Sequence, residues 1–400
     1  MRVLYVYPGE WPRNAVRAYK QTRALAARGH VIQLLAENPN GDARYSSEPW
    51  MEVERLPMLG PPKLNRYLGF PVFANPFWLR SMSAAARRFR PDTIIVSDLP
   101  LAPAALMIGR MMEIPVHYDI ADVYPVAMRS NQADHPGLIS RFTRNPDTAD
   151  RIDSFVVRRA ASTFVVSEEV RRRCLALGAP PASVVLVGNT PADVPPRDYR
   201  APIPADIADW AERPIVLFLG NLLADRGLLI AIDAIDRIRA AVPSVALAIV
   251  GSGRETLALA EEIDRRKLHD RVRLLGWKAP ADHYGYYQQA LIGILPFHST
   301  PHINITLANK LFDYMSAGLP VIGSDGPPMR RVLEETGAGI VVPPQDAAAL
   351  GRAIVDLIGD ATRRAAFGEA GRAAVDDGAY AWKRDEARFV AAIERTKPRG

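Results

Sequence analysis

The chain has 400 residues, of which 48% are apolar and 24% charged, with a formal net charge of +6. The length exceeds what one core of ordinary size serves, and the composition is that of a folded protein. We therefore expect two domains and no extensive disorder. The single cysteine, Cys174, excludes an intrachain disulfide framework and is typical of a reducing compartment.

Neither an export signal nor a membrane span is expected from the sequence. The first residues, MRVLYVYPGEWPR, contain a short apolar run without a cleavage site. No uncharged apolar run approaches the roughly 18 residues that a spanning helix needs. We therefore expect a cytoplasmic protein.

Short apolar segments alternate with helical segments along most of the chain, and the alternation restarts after a proline-rich stretch. This pattern predicts an α/β protein with two tandem Rossmann-like domains, each a parallel sheet wound by helices. The predicted strands lie in RVLYVYP, HVIQLLAE, PDTIIVSD, IPVHYDI and STFVVSEEV, and then in PIVLFLGN, VALAIVGSG, VRLLGW, LIGILPF, LPVIGSD and AGIVVPP.

The predicted domain boundaries follow the prolines. Open parallel sheets bind ligands at the carboxyl ends of their strands, so two facing sheets predict a site in an interdomain cleft. Trp382 and Phe389 are expected to pack a C-terminal helix back on the first domain. The predicted segments are 1–195 for the first domain, 196–212 for the linker, 213–378 for the second domain and 379–400 for the returning helix.

Two glycine turns in the second half each join a strand to a helix. In LFLGNLLADRGLLIAIDAI, Gly220 permits close approach of a ligand, the helix N-terminus favours an anion, and Arg226 offers a charged fork. In IVGSGRE, Gly251 and Gly253 repeat this arrangement. Strand-to-helix turns also use glycine for geometric reasons alone, and the sequence leaves that alternative open.

The segment NKLFDYMSAGLPVIGSD predicts a short helix, a hard stop and a buried strand. Asn309 is the predicted N-cap, and Gly318 fits the left-handed position after the helix. Lys310 and Asp313 are predicted on one side of the first turn. They form either a ligand-binding pair or a weak exposed ion pair.

Several of these segments, in order, resemble the C-terminal domain of GT-B glycosyltransferases. They look most like the large retaining family with an E-x7-E motif, particularly its polysaccharide-assembly members. The resemblance implies a nucleotide-sugar donor and a glycan acceptor. It also implies no metal or other cofactor, because this class offsets the leaving diphosphate with cationic side chains and helix N-termini. The matching segments are GNLLADRGLL, VGSGRE, RVRLLGWKAPADHYGYYQQALIGILP and NKLFDYMSAGLPVIGSDGP, with IPVHYDIADVYP and FVVSEEVRRRCLALGAPPASVVLVGN upstream.

The resemblance assigns donor-binding roles to residues already singled out. The family's acid at the position of Asp313 accepts hydrogen bonds from the ribose hydroxyls, and Lys310 would meet phosphate or donor-sugar oxygens. Backbone groups around Trp277 and Lys278 would meet the nucleobase, although Trp277 is equally compatible with a core position.

The chain also departs from the family pattern. Ile305 stands where the first glutamate is expected, so Asn304, Thr306 and backbone amides would have to hold the donor sugar. Asn221 replaces one of the two usual phosphate cations, and Arg226 corresponds to the other. The nucleotide, the donor sugar and the anomeric outcome therefore stay open.

The candidate acceptor side follows the strand IPVHYDI. Asp119 and Asp122 are three residues apart, a spacing that brings them together if the segment turns helically. In the family a polar residue here lies near the reacting hydroxyl, so Asp122, Asp119 and His117 are the candidate catalytic groups. Gly9 and Glu10 end the first strand and offer another turn on this side. Alternatively, Asp122 caps a turn and His117 is an interior histidine.

The sequence also bears on other functional classes. A nicotinamide dehydrogenase would carry G-x-G-x-x-G after its first strand, which YVYPGEWPR lacks. A GT-B-fold sugar-nucleotide epimerase shares the architecture and the nucleotide site. The missing acid at Ile305 also admits a non-catalytic binding subunit. No nucleic-acid recognition motif accompanies the basic residues, and scattered histidines give no convincing metal site.

Residues 55–91 interleave cations with aromatic residues and contain no acid. This composition favours peripheral binding to an anionic membrane surface, which would present the site to a lipid-linked acceptor at the inner face of the cell membrane. The alternative is that the aromatic residues are core and the arginines a solvated helix face. The cations are Arg55, Lys63, Arg66, Arg80, Arg87, Arg88 and Arg90, and the aromatic residues are Tyr67, Phe70, Phe73, Phe77, Trp78 and Phe89.

Overall fold

The chain folds into two compact units in the computed structural model. The first comprises Met1–Gly188 and Lys383–Gly400, and the second comprises Asn189–Trp382. The chain thus leaves the first unit after Gly188, earlier than the predicted domain end at 195. The structure describes residues 1–13, 15–61, 63–64, 69–70, 73, 75–130 and 145–396.

The first unit is built on an eight-stranded sheet. Its strands are β1 (Arg2–Glu10), β2 (Val31–Glu37), β3 (Tyr45–Glu48), β4 (Met51–Arg55), β5 (Thr93–Ser97), β6 (Val116–Ile120), β7 (Ser162–Val165) and β8 (Val184–Leu186). The strand order is β3-β4-β2-β1-β5-β6-β7-β8, with β3 antiparallel to β4 and the other neighbours parallel. Its described helices are α1 (Val16–Ala27), α2 (Pro76–Phe89), α3 (Ala102–Met112), α4 (Tyr124–Ser130), α5 (Pro146–Val157) and α6 (Glu168–Ala176).

The second unit is built on a six-stranded parallel sheet. Its strands are β9 (Ile215–Leu219), β10 (Ala246–Val250), β11 (Val272–Leu274), β12 (Ile292–Leu295), β13 (Val321–Ser324) and β14 (Gly339–Val342). The strand order is β11-β10-β9-β12-β13-β14. Its helices are α7 (Leu228–Ile238), α8 (Thr256–Arg266), α9 (His283–Gln289), α10 (Asn309–Ser316), α11 (Pro327–Thr336), α12 (Ala347–Gly359) and α13 (Ala361–Asp376), and α14 (Trp382–Glu394) follows.

The predicted fold class is confirmed, and every strand predicted from the sequence is present. Strands β5, β6, β9 and β10 are buried along their whole length, as is typical of parallel sheets that are covered on both faces. Three strands were not predicted. Strands β3 and β4 read YSSE and MEVER, and β8 has only three residues, so none carries a clear apolar run.

The predicted linker, residues 196–212, lies inside the second unit. Its turn of 3-10 helix, Ala205–Trp210, buries Ile207 and Trp210 in the core. The guanidinium of Arg273 lies 4.0 Å from the ring centroid of Trp210. Proline interrupts regular structure here, but the two apolar side chains anchor the segment to its unit.

The C-terminal helix α14 joins the first unit from Lys383 onward. The ring of Phe389 is fully buried and meets that of Phe164 edge to face, with 4.8 Å between centroids. Trp382, the other residue expected to make this contact, is the last residue of the second unit.

Candidate functional site

The carboxyl edge of the second sheet contains a topological switch point between β9 and β12. From this point β10 and β11 continue to one side, and β13 and β14 to the other. The two central strands pair only at Val216 and Leu217, opposite Ile292 and Gly293. Open α/β sheets bind ligands in the crevice at such a point.

The predicted glycine turns lie at this edge, and they differ in whether their positions have room for a side chain. The N–H of Gly220 donates to the carbonyl of Val250, which ties the two turns together. A Cβ on Gly251 would fall 1.8 Å from the Gly220 oxygen, and one on Gly253 would fall 2.1 Å from the Leu222 oxygen. Loop packing alone therefore demands glycine at 251 and 253, whereas a Cβ on Gly220 would meet nothing closer than 3.5 Å.

Arg226 is fixed beside the loop that follows β12. Its guanidinium lies 4.8 Å from the ring centroid of Phe297, and its Nε is 3.5 Å from Asp225 Oδ1. Gly227, the N-cap residue of α7, has a φ of 66° and lies so close to the loop after β12 that a Cβ would fall 1.8 Å from the Pro296 oxygen. Asn221, on the preceding turn, is exposed. The turn after β9 thus places a partly exposed cation near the carboxyl end of β12.

Helix α10 carries the predicted donor-binding pair, with a correction at its start. Asn309 is the first helical residue and not the N-cap, because Ala308 takes that position and no side chain caps the helix. Asp313 therefore lies beyond the first turn. Lys310 Nζ is 2.9 Å from Asp313 Oδ2, and the two side chains are 26% and 27% exposed. Gly318 has the predicted left-handed conformation, with a φ of 68°.

The loop before α10 is held by its own polar side chains. Asn304 Nδ2 donates to Ser299 Oγ at 3.0 Å, and the Thr306 hydroxyl donates to the His302 carbonyl at 2.9 Å. Ile305, in the position of the missing acid, is partly buried. Asn304 and Thr306 keep oxygen lone pairs that can accept hydrogen bonds, but each already donates one hydrogen bond within the loop.

Trp277 projects from the turn after β11 and is 69% exposed, which rules out a core position. This turn meets the glycine turns, since the N–H of Gly251 donates to the Gly276 carbonyl at 2.8 Å. Lys278 Nζ is 2.8 Å from Asp206 Oδ2, so its ammonium is engaged within the second unit. The predicted contact of these residues with a nucleobase stays a prediction.

Asp119 does not fit the predicted role on the acceptor side. Its side chain is completely buried, and Arg17 Nε and Nη2 contact it at 2.6–2.9 Å. Gln21 Nε2 adds a contact at 3.2 Å to Oδ2. A carboxylate enclosed by these donors is a structural ion pair and has no surface to offer an acceptor.

His117 is the interior histidine of the alternative interpretation. It is fully buried, and its Nε2 lies 3.1 Å from the Thr396 hydroxyl. Burial, with a smaller effect from Arg395, lowers the pKa of His117 to about 3. The ring therefore stays neutral and enclosed, and a catalytic role does not fit it.

Asp122 stands beside an acid that the sequence interpretation missed, Asp98. Asp98 directly follows β5 with φ 64° and ψ 157°, a conformation that non-glycine residues rarely adopt. Its Oδ1 accepts a hydrogen bond from the Asp122 N–H at 3.3 Å. Burial, then the charges of Asp122 and Asp119, raise the pKa of Asp98 to about 8. The rule that selected Asp119, an acid at a strand's carboxyl end, would have selected Asp98 also.

Gly9 and Glu10 end β1, as predicted, and Glu10 pairs in register with Glu37 of β2. Glu10 Oε1 accepts from Asn40 Nδ2 at 2.7 Å and lies 3.6 Å from Arg13 Nε. The edge of the first sheet therefore presents Glu10, Asp98 and Asp122. Within the ranges that the structure describes, no cluster of three or more His, Cys, Asp or Glu side chains is arranged to hold a metal ion.

The basic and aromatic segment divides into structural and surface residues. Arg55 is buried and donates to the Ala43 carbonyl and the Ser46 hydroxyl, and Arg88 pairs with Glu54. These two cations therefore stabilise the fold.

The other basic and aromatic residues of this segment differ in exposure. Trp78 and Phe89 are buried, and Phe73 and Phe77 are partly buried. The exposed ones among those described are Lys63, Arg80, Arg87, Arg90 and Phe70. Arg66 and Tyr67 lie outside the described residues. No helix among the described ones is long and apolar enough to cross a membrane.

Comparison with known proteins accounts for both units. Residues 15–190 match the family profile of a glycosyl transferase 4-like domain, and residues 213–360 match that of the glycosyl transferases of group 1. The chain is a glycosyltransferase of the GT-B fold, and its second unit contains a group 1 glycosyltransferase domain. Both profiles describe transferases, which sets aside the epimerase and the non-catalytic subunit that the sequence left open.

Individual relatives support the same assignment. Glycogen synthase of Mycobacterium tuberculosis is 22% identical over 389 residues, covering 91% of this chain and 88% of that protein. Phosphatidyl-myo-inositol mannosyltransferase of Mycobacterium leprae is 32% identical over 161 residues, covering 40% and 41%. The crystal structure of Anabaena HepE in complex with UDP has a TM-score of 0.72 at 15% identity, covering 99% of this chain and 100% of that one, and shows the fold.

Proposed function

We propose that this glycosyltransferase moves a sugar from a nucleoside-diphosphate sugar to a lipid-linked glycan during cell-surface polysaccharide assembly, with retention at the anomeric carbon. The donor would bind at the switch point of the second sheet. In the reaction, the bond between the anomeric carbon and the diphosphate breaks, a bond to the acceptor oxygen forms, and the acceptor hydroxyl gives up its proton. Asp122 is the candidate base to accept that proton. Retention rests on the resemblance to the E-x7-E family.

The Lys310–Asp313 pair carries the donor part of this proposal. The pair is a quarter exposed at the carboxyl edge of the sheet, and Asp313 engages Lys310 through one of its two oxygens. A carboxylate accepts hydrogen bonds from a diol, and the neighbouring ammonium and Arg226 offset a diphosphate charge. HepE, which shares the fold, has also been crystallised with UDP-glucose.

The donor proposal is tested by nucleotide binding to Asp313→Ala. Loss of charge-assisted bonds should weaken binding by about 1.5–3 kcal/mol, measured by calorimetry with UDP and GDP. Glu168→Ala is the matched control, because Glu168 and Arg171 form an ion pair of the same spacing, at 2.9 Å and about one-third exposed, in the first unit. Wild-type affinity and turnover in Asp313→Ala would reduce the pair to a surface ion pair.

The acceptor part rests on the exposed face of residues 55–91. Besides Arg88, four cations among the described residues there are exposed and accompany exposed apolar side chains at Met58, Leu59, Leu64 and Phe70. These four cations are Lys63, Arg80, Arg87 and Arg90. Each cation near an anionic leaflet contributes about 1 kcal/mol, and apolar side chains add interfacial burial. The name of the Mycobacterium leprae relative describes transfer to a lipid. These features support a peripheral location at the inner membrane face, with a lipid-linked acceptor.

Vesicle sedimentation tests this part. The protein should sediment with anionic vesicles, less at high salt, and the double variant Arg80→Glu/Arg87→Glu should stay in solution. Arg88 is unsuitable for charge reversal because it pairs with the buried Glu54. Lys267→Glu/Arg352→Glu changes the net charge equally at two exposed positions of the second unit and should still sediment. Equal partition onto neutral and anionic vesicles would contradict the membrane proposal.

A further inference from the structure

Tyr314, the residue after Asp313, is fully buried beneath the switch point. Its ring occupies the space over Gly293 of β12, where a Cβ would fall 2.5 Å from the ring. Its hydroxyl accepts a hydrogen bond from the N–H of Leu219, the last residue of β9, at 2.9 Å. One side chain thus runs from α10 across β12 to β9.

The hydrogen bond to Leu219 replaces a missing rung of the sheet. Strands β9 and β12 pair at Val216 and Leu217 and then stop pairing. On the other side of β9 the pairing with β10 continues to Leu219, and the next N–H, that of Gly220, donates to Val250. The phenol therefore satisfies a buried N–H at the place where the strands separate, which an apolar side chain cannot do.

The same side chain joins the two elements proposed to hold the donor. Asp313 and Lys310 lie on α10, immediately before Tyr314, and Gly220 with Asn221 directly follows Leu219. The ring of Tyr287 meets that of Tyr314 nearly at right angles, with 5.6 Å between centroids, and restricts its movement. Burial raises the pKa of Tyr314, so the phenol stays neutral.

We propose that Tyr314 is a positioning residue for donor binding, which fixes the distance between α10 and the Gly220 turn so that both reach one nucleotide. The proposal rests on the donor site proposed above. The phenol does not touch the ligand in this arrangement. It acts through the backbone of Leu219 and through the helix that carries Asp313.

Two variants perturb this link in different ways. Tyr314→Phe keeps the ring and removes the hydroxyl, whereas Gly293→Ala keeps the hydroxyl and displaces the ring. We expect each to raise the dissociation constant for UDP or GDP, whichever the wild type binds, about tenfold, as loss of one buried hydrogen bond would. The donor KM should rise more than kcat falls.

The control is Tyr5→Phe, a fully buried tyrosine of β1 whose hydroxyl donates to Gln21 Oε1 at 2.7 Å. This variant should lower the melting temperature without changing nucleotide affinity. All dissociation constants are measured where circular dichroism shows every variant folded, so that a purely structural role for Tyr314 would leave them unchanged.

Wild-type nucleotide affinity in folded Tyr314→Phe would overturn the positioning role, whatever the loss in melting temperature. If Gly293→Ala does not fold, Tyr314→Phe decides alone. If the wild type binds neither nucleotide, the donor site itself fails and the inference with it, an outcome distinct from wild-type-like binding by the variant.

Discussion

The acids at the carboxyl edges of the two sheets meet opposite environments. Asp119 of the first sheet is completely buried, with Arg17 contacting both of its oxygens. Asp313 of the second unit is 27% exposed and holds Lys310 by one oxygen. A place at the end of a parallel strand therefore does not by itself make an acid a ligand group. What decides is whether protein donors already occupy its lone pairs.

The partners of Arg17 explain what the buried pair does instead. Arg17 Nη1 also donates to the carbonyls of Val187 and Gly188, at 2.8 and 3.3 Å. Lys20 Nζ donates to the same Gly188 carbonyl, and the Gly188 N–H donates to Asp385. The ion pair thus links β6 to the last residues of the first unit before the chain leaves it, which is a structural task.

Among the variants that test this comparison, Asp119→Ala is expected to have the largest effect, a loss of stability. Removing the carboxylate leaves the Arg17 guanidinium buried without its anion, which should cost about 3–5 kcal/mol of unfolding free energy. Urea denaturation followed by circular dichroism measures the loss. Nucleotide affinity of the folded protein should stay at the wild-type level, the reverse of the pattern expected for Asp313→Ala.

Asp119→Asn separates the charge from the shape of the side chain. An amide can still accept one bond from Arg17, but it does not neutralise the guanidinium, so most of the destabilisation should remain. Wild-type stability in both variants would show that the pair is dispensable, and the contrast between the two edges would then lose its physical basis.

The fold was largely predictable because the buried strands of parallel sheets have short, continuous apolar sequences. Strands such as IVLFL and ALAIV need no partner information to be recognised. Strand β4 does need it: Glu54 and Arg55 are buried there because Arg44, Arg88 and Gln33 surround the carboxylate and backbone carbonyls meet the guanidinium. A polar strand that is buried by distant partners has no local signature.

The sequence predicted where the candidate site residues lie in the fold, but not which side chains surround them. The Lys310–Asp313 contact follows from helical spacing and is present. The enclosure of Asp119 depends on Arg17, 102 residues away in sequence, and no local pattern reveals it. Asn309 has the right residue type for an N-cap, but the helix begins one residue earlier than that assignment requires. Tertiary partners decide each of these outcomes.

A smaller, pH-dependent effect is expected from Asp98, the third acid of this comparison. Its neighbours Asp122 and Asp119 are themselves acidic, and burial with these charges raises its pKa from 3.8 to about 8. Between these two pKa values the folded protein therefore keeps a proton that the unfolded chain has already released. The resulting stabilisation is complete below the unfolded pKa and is lost as pH rises through about 8.

Asp98→Asn removes this titration while keeping a neutral side chain that tolerates a positive φ. Between about pH 4 and pH 8 the melting temperature of the wild type should fall relative to that of the variant, and above about pH 8 the two curves should run parallel. His117 is present in both proteins, so the pH dependence that its lowered pKa causes cancels in the comparison. Parallel curves up to pH 9 would mean that Asp98 is ionised at neutral pH. The edge of the first sheet would then present a charged Asp98 carboxylate, whose environment would resemble that of Asp313 more than that of the buried Asp119.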